Sequence, residues 1–351
     1  MNVAGRARLS ASGLGLLFGL AAVAMWGVYL ATTRAGIASG LHPVDLVVLR
    51  YGPAALLMLP WFLRAPGTLG GVGWGRGLWL AACAGPVFIA LAAGGYLWAP
   101  LAHGAVIQPS TAAMASIALA ALVLRERVPL ARWLGAGVIV SGIALIGLGG
   151  GGETVRFAQT WPGDAMFVAS GLLWGLFTVS IRRWNVDGTA ATGAVAIVSA
   201  ALVLPLVALF GTYERVLALT WPDLLMQMLV HGVLSGVLAI VCFGHAVRLL
   251  GAARGALFPA LVPAATLLAG IPIAEAVPGP LEWTGALLAT LGLAIAMGTF
   301  GGAFGGTFGS AFGDTLTRFA RRPPRRAPRR RGHGPRPAGT GSTRPPRRSA
   351  P

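Results

Sequence analysis

The 351 residues contain no lysine, only two cysteines and only 11% charged residues. Each scarcity excludes something. Soluble domains typically carry about 25% charged residues, so an ordinary aqueous globule is ruled out. Disorder along the whole chain is ruled out too, because 56% of the residues are hydrophobic. Cys83 and Cys242 lie in apolar runs, with no CxxC and no Cys/His cluster. That argues against a disulfide framework and a thiolate metal site. Without lysine there is no Walker-type phosphate loop, so an ATP-driven pump within the chain is excluded. No HExxH, Gly-x-Ser-x-Gly or DxxD pattern occurs. The expectation is therefore no enzyme and no cofactor. Asp and Glu are also missing from the middle of the apolar runs, which disfavours proton coupling through an intramembrane carboxylate.

What the chain does have is apolar length. Ten segments read as spans: 13–33, 43–63, 77–97, 104–124, 133–149, 163–181, 191–211, 225–247, 255–274 and 282–299. Each meets the roughly 20 apolar residues a bilayer crossing needs, and a span must satisfy its backbone internally, so each reads as a helix. The fold class expected is an all-α integral membrane protein. Residues 1–12 form a short N-terminus without a convincing cleavage site after the first apolar run, so that run reads as a span and not as a signal peptide.

The net charge of +17 suggests nucleic acid until it is located. Twelve of the 27 basic residues lie in residues 318–351, and the remainder of the chain carries only +5. Nucleic acid is not an expected partner. Residues 300–351 read as a Gly-rich linker and a disordered Arg/Pro-rich tail, either simply solvated or drawn to anionic lipid. Arginine placement also sets orientation. With the N-terminus inside, inner segments hold eleven Arg before the tail, and outer loops hold Arg34, Arg156 and Arg215. An even number of spans returns the tail to the cytoplasm. A multi-pass protein of a bacterial cytoplasmic membrane is expected, both termini inside; the bacterial source rests on the Arg-, Ala-, Gly- and Pro-rich composition.

The chain repeats itself. Trp26-Gly27 and Trp174-Gly175 stand 148 residues apart. Trp133-Leu134-Gly135-Ala136 and Trp283-Thr284-Gly285-Ala286 stand 150 apart, as do Gly142 and Gly292. Ordered matches at nearly one offset indicate a duplicated unit. The units expected are 13–149 and 163–299. Each holds five helices; five is odd, so the second enters the membrane from the opposite side, giving two inverted repeats.

These residues carry a resemblance. Trp26-Gly27, Trp174-Gly175, Leu49-Arg50-Tyr51, the run from His103 to Gly135 with Arg125-Glu126-Arg127, and Leu250 through Glu275 together resemble the EamA-type ten-helix transporters of the drug/metabolite transporter superfamily. The resemblance covers roughly residues 13–299. It departs at Ala274-Glu275-Ala276, which lacks the usual flanking Gly and Arg, and in the long tail. It implies export of small metabolites, often amino acids or related compounds, driven by a proton gradient or by exchange.

A transport site near the midplane needs polar or aromatic groups facing the bundle interior. Candidates for a substrate cavity are Trp26, Tyr29, Arg50, Gln108 and Trp174. Arg50 sits well inside an apolar run, where insertion costs at least about 2.5–3.5 kcal/mol. It must therefore snorkel outward, meet a structural partner, or face the substrate. Gln108 precedes Pro109, whose missing N–H frees a carbonyl. His231 and His245 are candidates for proton relay, or are packing residues. They are fourteen residues apart and cannot share a ligand. His103 reads as a solvated residue opening the fourth span. The partners expected are a small-molecule substrate and the lipid bilayer. The alternative is a non-transporting scaffold or signalling protein working through its tail.

Overall fold

The computed structural model describes residues 11–125, 129–148, 157, 159–210, 213–250 and 257–296. The Arg-rich tail and Glu126 lie outside them. The long helices are α1 (Ala11–Ala38), α2 (Pro43–Leu63), α3 (Trp74–Leu97), α4 (Leu101–Val123), α5 (Leu130–Leu148), α6 (Trp161–Trp184), α7 (Gly188–Phe210), α8 (Trp221–Leu250), α9 (Phe258–Ala274) and α10 (Pro280–Ala296). Among the described residues, α1 to α8 are long and apolar enough to cross a membrane; α9 and α10 are apolar but shorter. Their outward faces carry large apolar side chains such as Leu56, Leu148 and Leu209, as a lipid-facing surface requires.

Local chemistry sets the helix ends. His42 and Asp45 form a capping box at the start of α2, with Pro43 at its first position. The Thr220 hydroxyl accepts from the Asp223 amide at the start of α8. Helix α1 runs to Ala38, five residues past the expected end. Thr32, Thr33 and Arg34, which read as a polar boundary, are buried, and the Thr33 hydroxyl donates back to the Tyr29 carbonyl at 2.7 Å. Gly40 stops the chain with φ +98°. Helix α3 breaks at Gly85, before Pro86. Helix α8 is continuous, but its central stretch Leu229–Leu238 widens into π-helical turns.

Small residues set the helix packing. A Cβ on Gly142 would lie 2.6 Å from the Gly285 carbonyl oxygen, and one on Gly135 would lie 2.6 Å from that of Gly292. Helices α5 and α10 thus run antiparallel with their backbones in contact. A Cβ on Gly27 would meet Ala265, and a Cβ on Gly175 would meet Ala115, joining α1 to α9 and α4 to α6. Without a hydrophobic force between helices in lipid, such close approach supplies the packing energy.

Two polar pairs cluster at the N-terminal ends of α2, α4 and α6. Arg215, in the turn Glu214–Leu217, donates from Nε to Asp45 Oδ2 at 2.8 Å and from Nη2 to Oδ1 at 3.4 Å. The carboxylate beside it holds the Arg215 guanidinium above its ordinary range. Arg215 stays charged at every accessible pH; its raised pKa adds stability that fades only above that range. His103 is not a solvated residue. It is 1% exposed, and its Nδ1 lies 2.7 Å from Asp164 Oδ1. The apolar side chains around the start of α4 exclude water, and the α6 carboxylate supplies the partner.

Candidate substrate cavity

Helix α2 carries Arg50 into the protein interior, where it is 9% exposed. Snorkelling is therefore not its solution. Its Nη1 donates to Ser235 Oγ at 3.0 Å and to the His231 carbonyl at 3.3 Å. Both acceptors belong to the π-helical stretch of α8. Two glycines let that stretch approach. A Cβ on Gly232 would lie 2.7 Å from Pro53 Cβ and 3.0 Å from the Arg50 carbonyl, and one on Gly236 would lie 3.6 Å from Ala54 Cβ. π-Turns and close-packed glycines at one spot are a feature of functional sites in helices.

Aromatic faces flank the guanidinium. Its Cζ stands 5.0 Å from the Tyr29 ring centroid and 6.0 Å from that of Tyr51, within cation–π range. Tyr51 donates its hydroxyl to the Ala84 carbonyl at 2.7 Å. That carbonyl closes the first half of α3 just before the Gly85 break, where no water substitutes for a missing partner.

His231 lies on the far side of Tyr29, ring centroids 5.2 Å apart and nearly perpendicular. Its Nδ1 is 3.1 Å from the Gln227 carbonyl, which only accepts, so Nδ1 carries a hydrogen. Its Nε2 is 3.2 Å from Thr33 Oγ1. The single Thr33 hydrogen thus has two acceptors, Nε2 and the Tyr29 carbonyl.

Beyond Arg50 lies a small cavity of about 30 Å³ between α2, α3, α6, α7 and α8. Arg50, Tyr51 and Thr192 are its polar lining; Trp174, Phe177 and Ala54 belong to its apolar lining. That is room for about one or two waters, so the lining is closed down around Arg50. Trp174 is held by Phe88 and Phe177, at 5.2 and 5.1 Å between ring centroids. A second, smaller cleft of about 10 Å³ near the start of α10 is lined by Pro100, Leu267 and Glu282, and that carboxylate already accepts from the Gly279 amide.

The sequence candidates do not all meet. Arg50 and Trp174 line the cavity, and Tyr29 backs Arg50 from behind. Trp26, the repeat mate of Trp174, packs on Phe243 at 5.6 Å in a separate cluster. Gln108 sits where α4 crosses α6, its carbonyl 2.7 Å from where a Gly171 Cβ would be. His245 packs on Phe18 and faces the Val241 carbonyl at 2.9 Å, apart from His231. The sequence reading missed Ser235 and Thr192. The Gly232-x-x-x-Gly236 spacing around Ser235 was the signal available for the first.

Long apolar helices packed around a buried Arg50 are the build of a multi-pass membrane protein. The chain belongs to the EamA-like transporter family, which matches residues 13–148 and 161–298. A solved crystal structure is similar over 80% of this chain and 96% of its own, at 21% identity and a TM-score of 0.54, a likeness of fold. No curated protein matches.

Proposed function

We propose that the protein is a secondary carrier that exports a small metabolite by alternating access of two inverted five-helix repeats. The observation that carries this reading is an exchange of partners between repeat-equivalent positions. Gly135 meets Gly292, while Gly142, equivalent to Gly292, meets Gly285, equivalent to Gly135. Gly27 meets Ala265, while their equivalents Gly175 and Ala115 meet each other. Such crossed contacts are the mark of a two-fold relation. Between antiparallel α5 and α10, that axis lies across the helices, as inverted repeats demand.

The cavity supports the conformational part. Its lining runs from Arg50 to Ala54 on α2 and to Thr192 near the start of α7. The other end is joined across the repeats by Asp45–Arg215 and His103–Asp164. Arginine placement puts those pairs outside. On this assignment the described state is closed to the outside, and export needs both pairs to part.

The test is counterflow in proteoliposomes with the full chain and a panel of amino acids, amines, nucleosides and organic acids, with and without a pH gradient. Saturable counterflow of one class is expected. Its persistence without a gradient fits exchange, the coupling favoured by the absence of a carboxylate from the cavity lining. No counterflow for any compound overturns the carrier reading. Labelling single cysteines at Thr220 from outside and Arg64 from inside checks the orientation, and the reverse pattern overturns it.

A further inference from the structure

We infer that the cavity selects a small organic monoanion with an apolar or aromatic body, and discriminates against amines and amino acids. The inference rests on the carrier reading and narrows its substrate from metabolites in general to carboxylates.

It starts from an uncompensated charge. Arg50 is a permanent cation with five N–H donors. Its Nη1 donates to the His231 carbonyl and to Ser235 Oγ, and both acceptors are neutral. Among the described residues it has no carboxylate partner. A buried ion without a counter-charge is costly in the empty site, and the cost is relieved when an anion arrives. The planar guanidinium suits a carboxylate, which takes two parallel N–H bonds.

The rest of the wall sets the other requirements. Trp174 and Phe177 offer flat apolar surface. Thr192 and the Tyr51 hydroxyl are neutral, and the latter already donates to the Ala84 carbonyl. No Asp or Glu lines this cavity among the described residues. An ammonium group would therefore enter beside Arg50 with no acceptor of opposite charge, and would repel it. An amino acid pairs its carboxylate but leaves its ammonium buried and unmatched, the condition on which sites built for one group reject another.

Three ligands with one aromatic body separate these cases: phenylacetate, phenylalanine and phenethylamine. Binding is read by thermal stabilisation and equilibrium dialysis of the detergent-purified full chain in gluconate salt, and flux by counterflow. Phenylacetate is expected to bind about 10- to 100-fold more tightly than either amine-bearing compound, the span of a charge-assisted hydrogen bond. Arg50→Gln should abolish that preference. Because that variant removes a buried contact, Thr192→Asp is the second probe. It adds an acceptor to the wall and should raise phenylalanine binding relative to phenylacetate. Equal or tighter binding of phenylalanine or phenethylamine to the unaltered protein overturns the inference. So does absence of binding for all three, or the same stabilisation by chloride alone. Phenylacetate binding without counterflow upholds the selectivity and removes the carrier reading.

Discussion

The seam between α5 and α10 and the wall between α2 and α8 both rely on glycine, to opposite ends. At the seam each glycine faces the partner's backbone, so that Gly135, Gly142, Gly285 and Gly292 leave no space between helices. At the wall Gly232 and Gly236 face the side chains of Pro53 and Ala54, and the approach delivers the His231 carbonyl and Ser235 to Arg50. The seam is apolar and closed, whereas the wall is polar and borders a cavity. Backbone against backbone leaves nothing to relax, so the seam suits a fixed pivot. At the wall one backbone oxygen, that of Arg50, stands 3.0 Å from the Gly232 Cβ position, while Gly236 keeps 3.6 Å to Ala54, so the wall is the looser of the two.

The largest expected effect comes from breaking the seam. Gly142→Leu forces a side chain into the Gly285 carbonyl and should cost about 3 kcal/mol. Detergent melting should fall by about 6–12 °C. Gly137 has open space where its Cβ would be, so Gly137→Leu serves as the control and should melt at or above the unaltered protein. Equal behaviour of the two would erase the distinction. At the wall, Gly232→Ala adds a single methyl, 2.7 Å from the Pro53 ring and 3.0 Å from the Arg50 carbonyl oxygen. Melting should drop by only about 1–2 kcal/mol of stability, while counterflow falls about tenfold because Arg50 loses its placement. A variant with full flux and poor melting would make the wall a second seam. The smallest effect is expected at Asp45, whose partner Arg215 is half exposed. Asp45 itself is buried and also accepts the His42 amide, so Asp45→Asn, which keeps an acceptor there but loses the charge, should cost about 1 kcal/mol and alter the counterflow rate about twofold. A large loss of stability would place the pivot there.

The repeat behind the seam was legible beforehand, because the offset that joins Gly142 to Gly292 depends only on the order of residues. That the four glycines meet across α5 and α10 was not legible, since the order of residues does not say which helices touch. The wall was legible only in part. Arg50 stood out as a charge in an apolar run, but its acceptors come from a π-helical stretch more than 180 residues away. No periodicity in Leu229–Leu238 marks the extra residue per turn. Repeat symmetry also misled at one point. Trp26 and Trp174 match in sequence, yet only Trp174 meets the cavity, because Trp26 packs on Phe243. His103 shows the same limit from the other side. At the start of a span it reads as wetted, and only the docking of α6 buries it against Asp164.

The two repeats match one family but differ in charge. The positions 148 to 150 residues after Arg50 hold Val198, Ser199 and Ala200, so the cation at the cavity has no equivalent in the second repeat. An empty carrier then presents a net positive group to the transmembrane field, and a carrier holding a monoanion presents none. A charge moved through the full field exchanges about 2.3 kcal/mol per 100 mV. On the monoanion reading, membrane voltage would therefore act on the return of the empty carrier and spare the loaded step. Direction of transport would become a question of electrical potential as much as of concentration.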